Sequence, residues 1–294
     1  MVSVRQARTA STLATLRAIV VGLLIALPAA NFWPVLLLKL RTPAAASLEI
    51  IFLGVFLWWT SGGGPPARLR TLRADHFRRG GLSAAEWRWG LLAAASFAVT
   101  VHAAIVLLFR FEPFPADAFH RGYDLSFIPT QSLRWLACIV SALSAAVCEE
   151  TGFRGYMQRP IESMGRPMLA ILISSVFFTL LHLEKSWSLL LMVPIVFGAG
   201  ALLGWLARAS GTLLFGMLGH WVMDIGLFAY WWTQIAGTFT EQPVWQTGWD
   251  RAFAIAWALF AIALGALITA ILQLTKLSAG DGARLRKEAT SIER

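Results

Sequence analysis

Stretches of about 20 consecutive apolar residues recur along this chain, and that recurrence limits its fold more than any other feature. A helix rises 1.5 Å per residue and needs roughly 20 residues to cross the hydrocarbon of a bilayer. Backbone polar groups in hydrocarbon must be bonded within the segment, so such stretches fold as helices. Eight spans are predicted, at residues 15–38, 44–61, 90–110, 133–149 with an extension, 167–184, 187–207, 211–232 and 251–274. The expected fold class is all-α, a polytopic membrane helix bundle of about eight transmembrane helices with both termini cytoplasmic. Residues 1–276 read as a single transmembrane domain and 277–294 as a polar C-terminal cytoplasmic tail.

Composition agrees. The chain is 57% hydrophobic and 14% charged, against roughly 45–50% and about 25% in soluble domains. Fourteen Trp and 19 Phe against 16 acids exclude a disordered chain, which is poor in aromatics. The formal charge of +9 sits in connectors and tails, so it reads as a topology signal and no nucleic-acid partner is expected. Arg5 and Arg8, the Gly62–Arg88 connector with Arg68, Arg70, Arg73, Arg78, Arg79 and Arg88, then Arg154, Arg159 and Arg166, Arg208, and the tail with Lys276, Arg284, Arg286 and Lys287 fall on one side under the alternation of spans. The positive-inside rule makes that side cytoplasmic. The apolar run after Arg17 lacks a small-residue cleavage signature and reads as a retained first helix. Cys138 and Cys148 lie ten residues apart on one predicted helix, about 15 Å and too far for a disulfide.

Ionisable side chains at membrane depth cost roughly 2.5–3.5 kcal/mol each on insertion scales, so they are functional candidates by default. Glu149, Glu150, His182, His220 and Asp224 stand out, with Arg154 joining them if the fourth helix continues past Gly152. At four residues apart, Glu150 and Arg154 share a helix face and can pair. Glu149 is turned about 100° away and is available to a cavity. Phe178 and His182, and again His220 and Asp224, are four apart on their helices. In the last pair a carboxylate can orient an imidazole, or both can reach one ion or one oxygen. His102 has no such partner and reads as a polar core residue.

In that order on successive spans, Glu149-Glu150-x-x-x-Arg154, Phe178-x-x-x-His182 and His220-x-x-x-Asp224 resemble the three motifs of the CAAX protease and bacteriocin-processing family, also called the Abi family, which includes the type II CAAX prenyl endopeptidases. The resemblance implies an intramembrane endopeptidase. Glu149 would activate a water with His182, while His220 and Asp224 would stabilise the oxyanion, with Glu150, Arg154 and Phe178 supporting. Where the prenyl endopeptidases commonly carry asparagine, this chain has Asp224, and an ionised carboxylate can only accept a hydrogen bond. Asp224 must then be protonated, orient His220 or help hold a metal. Glu149, His182, His220 and Asp224 are therefore also a candidate set for a divalent metal such as zinc. No HExxH is present, which argues against a zincin-type site.

The expected partners are a protein or peptide substrate with an extended tail, and membrane lipid. Arginine outnumbers lysine 21 to 4, which suggests a GC-rich bacterial genome and hence the bacterial inner membrane. Depth counting leads to the expectation of a cavity open to the cytoplasm. Two other readings are a transporter with a buried Glu/His/Arg relay and a non-catalytic immunity or partner-binding protein.

Overall fold

The computed structural model describes residues 4–42, 44–77, 81–183 and 190–292. Among these the chain is helical throughout, with no strand. Helix α1 (Val4–Pro34) runs into a π turn, Val35–Lys39. Helix α2 (Ala45–Thr60) follows, then the short α3 (Arg70–Phe77) and the long α4 (Ala84–Phe109). The short α5 (Ala116–Gly122) precedes α6 (Gln131–Glu150), which continues without a break as a π-helical segment, Thr151–Gln158, and then as α7 (Arg159–Ser163). Beyond these come α8 (Pro167–Leu181), α9 (Met192–Ser210), α10 (Leu214–Gly226) with its π extension Leu227–Trp232, the one-turn α11 (Val244–Thr247) and α12 (Arg251–Ile292).

Among the described residues five helices are long and apolar enough to cross a membrane: Ser11–Lys39, Ala84–Phe109, Gln131–Ser163, Met192–Ser210 and Arg251–Ala279. Two predicted spans are shorter apolar helices, Ala45–Thr60 and Pro167–Leu181, and the predicted span 211–232 is α10 with its π extension. The last helix does not stop at 274 but continues through the polar tail to Ile292. Arg78 and Arg79, and the predicted helix ends within 184–189, lie outside the described residues, as do the side chains of Arg5, Arg8, Arg284, Arg286 and Lys287.

Local chemistry sets several boundaries. Ser83 begins α4 with a capping box: its hydroxyl accepts from the Glu86 N–H while the Glu86 carboxylate accepts from the Ser83 N–H, so two otherwise orphaned groups are satisfied. Thr130 caps α6 through Leu133. Gly211 ends α9 at φ 65°, a left-handed conformation that costs glycine nothing.

The outer faces carry apolar residues, such as Leu16, Val20 and Leu24 on α1 and Ile255, Leu259 and Ile262 on α12, the pattern of helices solvated by lipid. Inside, small residues let helices approach. A Cβ on Gly152 would fall 2.5 Å from the Ala26 Cβ, and one on Gly22 would fall 2.6 Å from the Met157 Cβ, so α1 lies directly on the π segment, as helices pack in membranes.

The bundle has two distinct ends. At the arginine-rich end the Tyr156 hydroxyl donates to the Thr60 carbonyl, the His76 ring lies 4.3 Å from Tyr156, and the Ser278 hydroxyl donates to the Ala209 carbonyl. Arg73 is buried there, its guanidinium donating to the carbonyls of Gly63 and Gly64 and lying over the Trp59 ring. At the opposite end the connectors 110–130 and 233–250 meet in an aromatic cluster of Phe109, Phe114, Phe119, Trp231, Trp232 and Phe239.

Candidate active site

All seven residues of the three motifs come together inside the bundle. Glu149 and Glu150 close α6, and Arg154 follows on the π segment. Phe178 lies in the last turn of α8, His182 is its C-cap, and His220 and Asp224 lie on α10. Glu150 and Arg154 are fully buried, while Glu149 and Asp224 are each 6% exposed and His220 is 2% exposed.

Glu150 is the anchor. Its Oε1 accepts from Arg154 Nη1 at 2.9 Å and from His220 Nδ1 at 3.0 Å. Arg154 Nη2 donates to the Gly200 carbonyl at 2.9 Å, and its guanidinium lies 4.6 Å over the Phe178 ring, a cation–π contact strengthened by desolvation. The pair expected from the spacing is therefore formed, with the chain locally wound as a π-helix rather than the α-helix the spacing assumed. Glu149, as expected, points elsewhere.

Each imidazole has one nitrogen committed. His182 Nδ1 lies 2.8 Å from the Phe178 carbonyl; a carbonyl only accepts, so Nδ1 carries the hydrogen and Nε2 of the neutral ring is an acceptor. That Nε2 lies 3.7 Å from Glu149 Oε2. His220 Nδ1 is turned to Glu150, which leaves Nε2 4.0 Å from Glu149 Oε2 and 3.6 Å from Asp224 Oδ2. These separations exceed a direct hydrogen bond and suit a bridging water. Phe178 packs against both rings, its centroid 4.5 Å from His182 and 5.8 Å from His220.

Glu149, His182, His220 and Asp224 line one cavity of about 90 Å³, room for several waters. The rest of the lining is mainly apolar, including Phe97, Val101, Ile105, Trp33, Phe119 and Trp232. In a medium of low dielectric the few polar groups act strongly on one another.

The cavity extends from the polar groups along two helices. From Glu149 and His220 its walls continue along α4 through Phe97, Val101 and Ile105, and along α10 through Met223, Leu227 and Trp232, to Phe119 of α5. All of these steps lead to the aromatic end. Towards the arginine-rich end every residue from Glu150 to Gln158 is buried, with Gln158 Nε2 donating to the Gly204 carbonyl.

Sequence reasoning missed Glu49. It lies in the second predicted span, is 1% exposed, and its Oε1 accepts from the Ser141 hydroxyl at 3.3 Å; a carboxyl in an apolar stretch was the signal. His102 behaves as expected, bonding the Met223 backbone from within the core. Cys138 and Cys148 are free and buried. Among the described residues no group of three or more His, Cys, Asp or Glu side chains is arranged to hold a metal ion.

Residues 130–226 match the family model described as Type II CAAX prenyl endopeptidase Rce1-like. No curated protein and no solved structure matches the chain. The matched stretch begins at Thr130, the cap of α6, and ends at Gly226, the last residue of α10. It contains all three motifs, including Arg154 and His220, which hydrogen-bond to Glu150. The segment that builds the site is thus similar to the family that the motifs resemble.

Proposed function

We propose that the protein is an intramembrane endopeptidase in which Glu149 is the general base. The observation that supports this best is the placing of Glu149 Oε2 at 3.7 Å from His182 Nε2 and 4.0 Å from His220 Nε2 on the wall of one cavity. A water held between Glu149 and His182 gives its proton to Glu149 as it attacks a peptide carbonyl. His220, with protons on both nitrogens, presents Nε2–H to the developing oxyanion, which is the largest electrostatic contribution to this class of reaction. Asp224 orients that nitrogen or, when protonated, donates a second hydrogen bond. Glu149 then returns its proton to the leaving amine. Arg154 and Glu150 fix the His220 ring through its other nitrogen, the role of an orienting carboxylate.

Eight helical passes, with both termini and the arginine-rich end in the cytoplasm of a bacterial cell, complete the reading. The substrate is a polypeptide segment that can extend into the cavity. Comparing protein termini between cells carrying the wild type and cells carrying Glu149→Gln identifies the substrates. Cleavage of those substrates by purified Glu149→Gln or His182→Gln falls at least about 100-fold, with the variants still inserted and folded. Full cleavage by either variant rejects the assignment. Elemental analysis, with activity measured before and after chelation, separates this reaction from a metal-dependent one: activity in metal-free protein is expected.

A further inference from the structure

The connector between α2 and α4 presents a surface that the candidate active site does not use. One face of its short helix α3 is fixed. Arg73 and His76 are buried, with the Arg73 guanidinium donating to the Gly63 and Gly64 carbonyls and the His76 ring lying against Tyr156. A Cβ on Gly155 would fall 3.1 Å from the His76 carbonyl oxygen, so this face rests on the π segment that carries Arg154. The other face is open. Arg68, Arg70 and Thr71 are exposed, and Leu69 and Leu72 beside them are 37% and 46% exposed. Trp58 near the end of α2 and Trp87 in the first turn of α4 are exposed as well, and tryptophan favours the boundary between hydrocarbon and water. Together they set α3 at that boundary, where leucines enter the acyl layer and arginines reach the headgroups.

Charge decides which headgroups. Among the described residues Arg68, Arg70 and Arg88 of this connector are in no ion pair. Asp75 is the one carboxylate of α3, and Glu86 is engaged in the Ser83 cap. The contrast is with the aromatic end, where Arg41 is paired with Asp124, and Arg110 with Glu241 and Asp250. A guanidinium without a carboxylate partner offers its N–H donors to phosphate oxygens, and basic groups on an amphipathic helix draw anionic lipid. We propose that the exposed face of α3, with Arg68 and Arg70 as phosphate donors and Leu69 and Leu72 set among the acyl chains, is a binding surface for anionic phospholipids. This surface stands apart from the proposed endopeptidase chemistry and does not rest on it.

The test is fluorescence quenching by brominated lipid, with the full chain reconstituted in phosphatidylcholine bilayers that carry the same mole fraction of either brominated phosphatidylglycerol or brominated phosphatidylcholine. Thr71→Cys, labelled with a fluorophore, reports α3, and Trp249→Cys reports the aromatic end. The two native thiols are buried, so the wild type serves as the labelling blank. At Thr71→Cys the quenching curves should give phosphatidylglycerol an enrichment of at least about three-fold, since one arginine near an anionic surface is worth roughly five-fold; a smaller ratio overturns the proposal. Trp249→Cys should show no preference, and an equal preference there would mean that the lipid does not distinguish α3. Arg68→Gln with Arg70→Gln should abolish the enrichment at Thr71→Cys with the melting temperature unchanged, both side chains being exposed. Enrichment that survives the double substitution removes these arginines from the surface. Raising the salt to about 1 M, where the screening length is roughly 3 Å, should collapse the preference without any substitution, and a preference that stays would exclude a charge-based surface. Inorganic phosphate added at constant ionic strength should leave the enrichment standing; its loss would identify a site for the free anion and overturn the lipid assignment. None of these readings requires cleavage.

Discussion

Arg110 and Arg154 are the two largest fully buried side chains in the structure, yet they sit in opposite settings. Arg110 follows α4 at the aromatic end. It is met by Glu241, by both oxygens of Asp250 and by the Thr247 hydroxyl, all from the connector before α12, and its own carbonyl accepts from the Val244 N–H. Its partners are about one-third exposed. Arg154 is at membrane depth, with a fully buried Glu150, one backbone carbonyl and one aromatic face. Arg110 joins segments 131 and 140 residues away and so fastens a connector. Arg154 joins a carboxylate four residues away that in turn holds His220. The contrast separates an ion cluster that maintains shape at the rim from one that sets the orientation of the His220 ring, where charge is expensive and has to be matched group by group.

Replacing each arginine should expose the difference. Arg154→Met leaves Glu150 buried without its cation, a loss of about 3–5 kcal/mol, and cleavage should fall to the level of Glu149→Gln because His220 loses its fixed partner. Pairing it with Glu150→Leu should recover melting temperature but not activity. A double variant that cleaves normally would remove Arg154 and Glu150 from the mechanism. Arg110→Met should lower the melting temperature while purified protein keeps activity within a few-fold of wild type. If it were instead as inactive as Arg154→Met, the two clusters would not be separate in function.

The rim cluster should also be distinguishable by pH. The Arg110 guanidinium holds the Asp250 carboxyl down to about 2, below the usual 3.9 of an unfolded chain. A depressed carboxylate stabilises fully above the unfolded value and loses that contribution as pH falls through the folded one. The gap in melting temperature between wild type and Asp250→Asn should therefore be constant at neutral pH and close as pH drops from about 4 towards 2. A gap that persists at the acid end would mean that shape, not charge, is what Asp250 supplies.

The smallest effect is expected at Gly216. A Cβ there would fall 3.2 Å from Glu150 Oε2, so Gly216→Ala should press on the carboxylate that carries Arg154 and His220. Cleavage should drop a few-fold with little change in melting temperature. An unchanged rate would show that Glu150 has room to shift without moving His220.

Much of the site was legible because helices impose a period. Residues four apart share a face, and all three i, i+4 pairs of the motifs do so here, even Glu150 and Arg154 at the start of a π-wound segment. The π winding itself was not legible. It accompanies a close approach of α1 through Gly22 and Gly152, which are far apart in the chain. The depth of His182 was ambiguous by counting; α8 proves to be 15 residues long and ends at that histidine, whose ring turns back to the Phe178 carbonyl. Glu49 was visible as a carboxyl in an apolar stretch, while its partner Ser141 is 92 residues away and could come only from the packing of α2 on α6.

By itself the sequence determined the all-helical class, the basic and the balanced sets of connectors, and the identities and helical faces of Glu149, Glu150, Arg154, Phe178, His182, His220 and Asp224. Those are properties of hydropathy and period, which act along a single helix. Only the tertiary structure decided that Glu150 holds Arg154 and His220 together and that Glu149 faces a cavity. Those features depend on how side chains from different helices fill the space between them, and no periodicity within one helix records that.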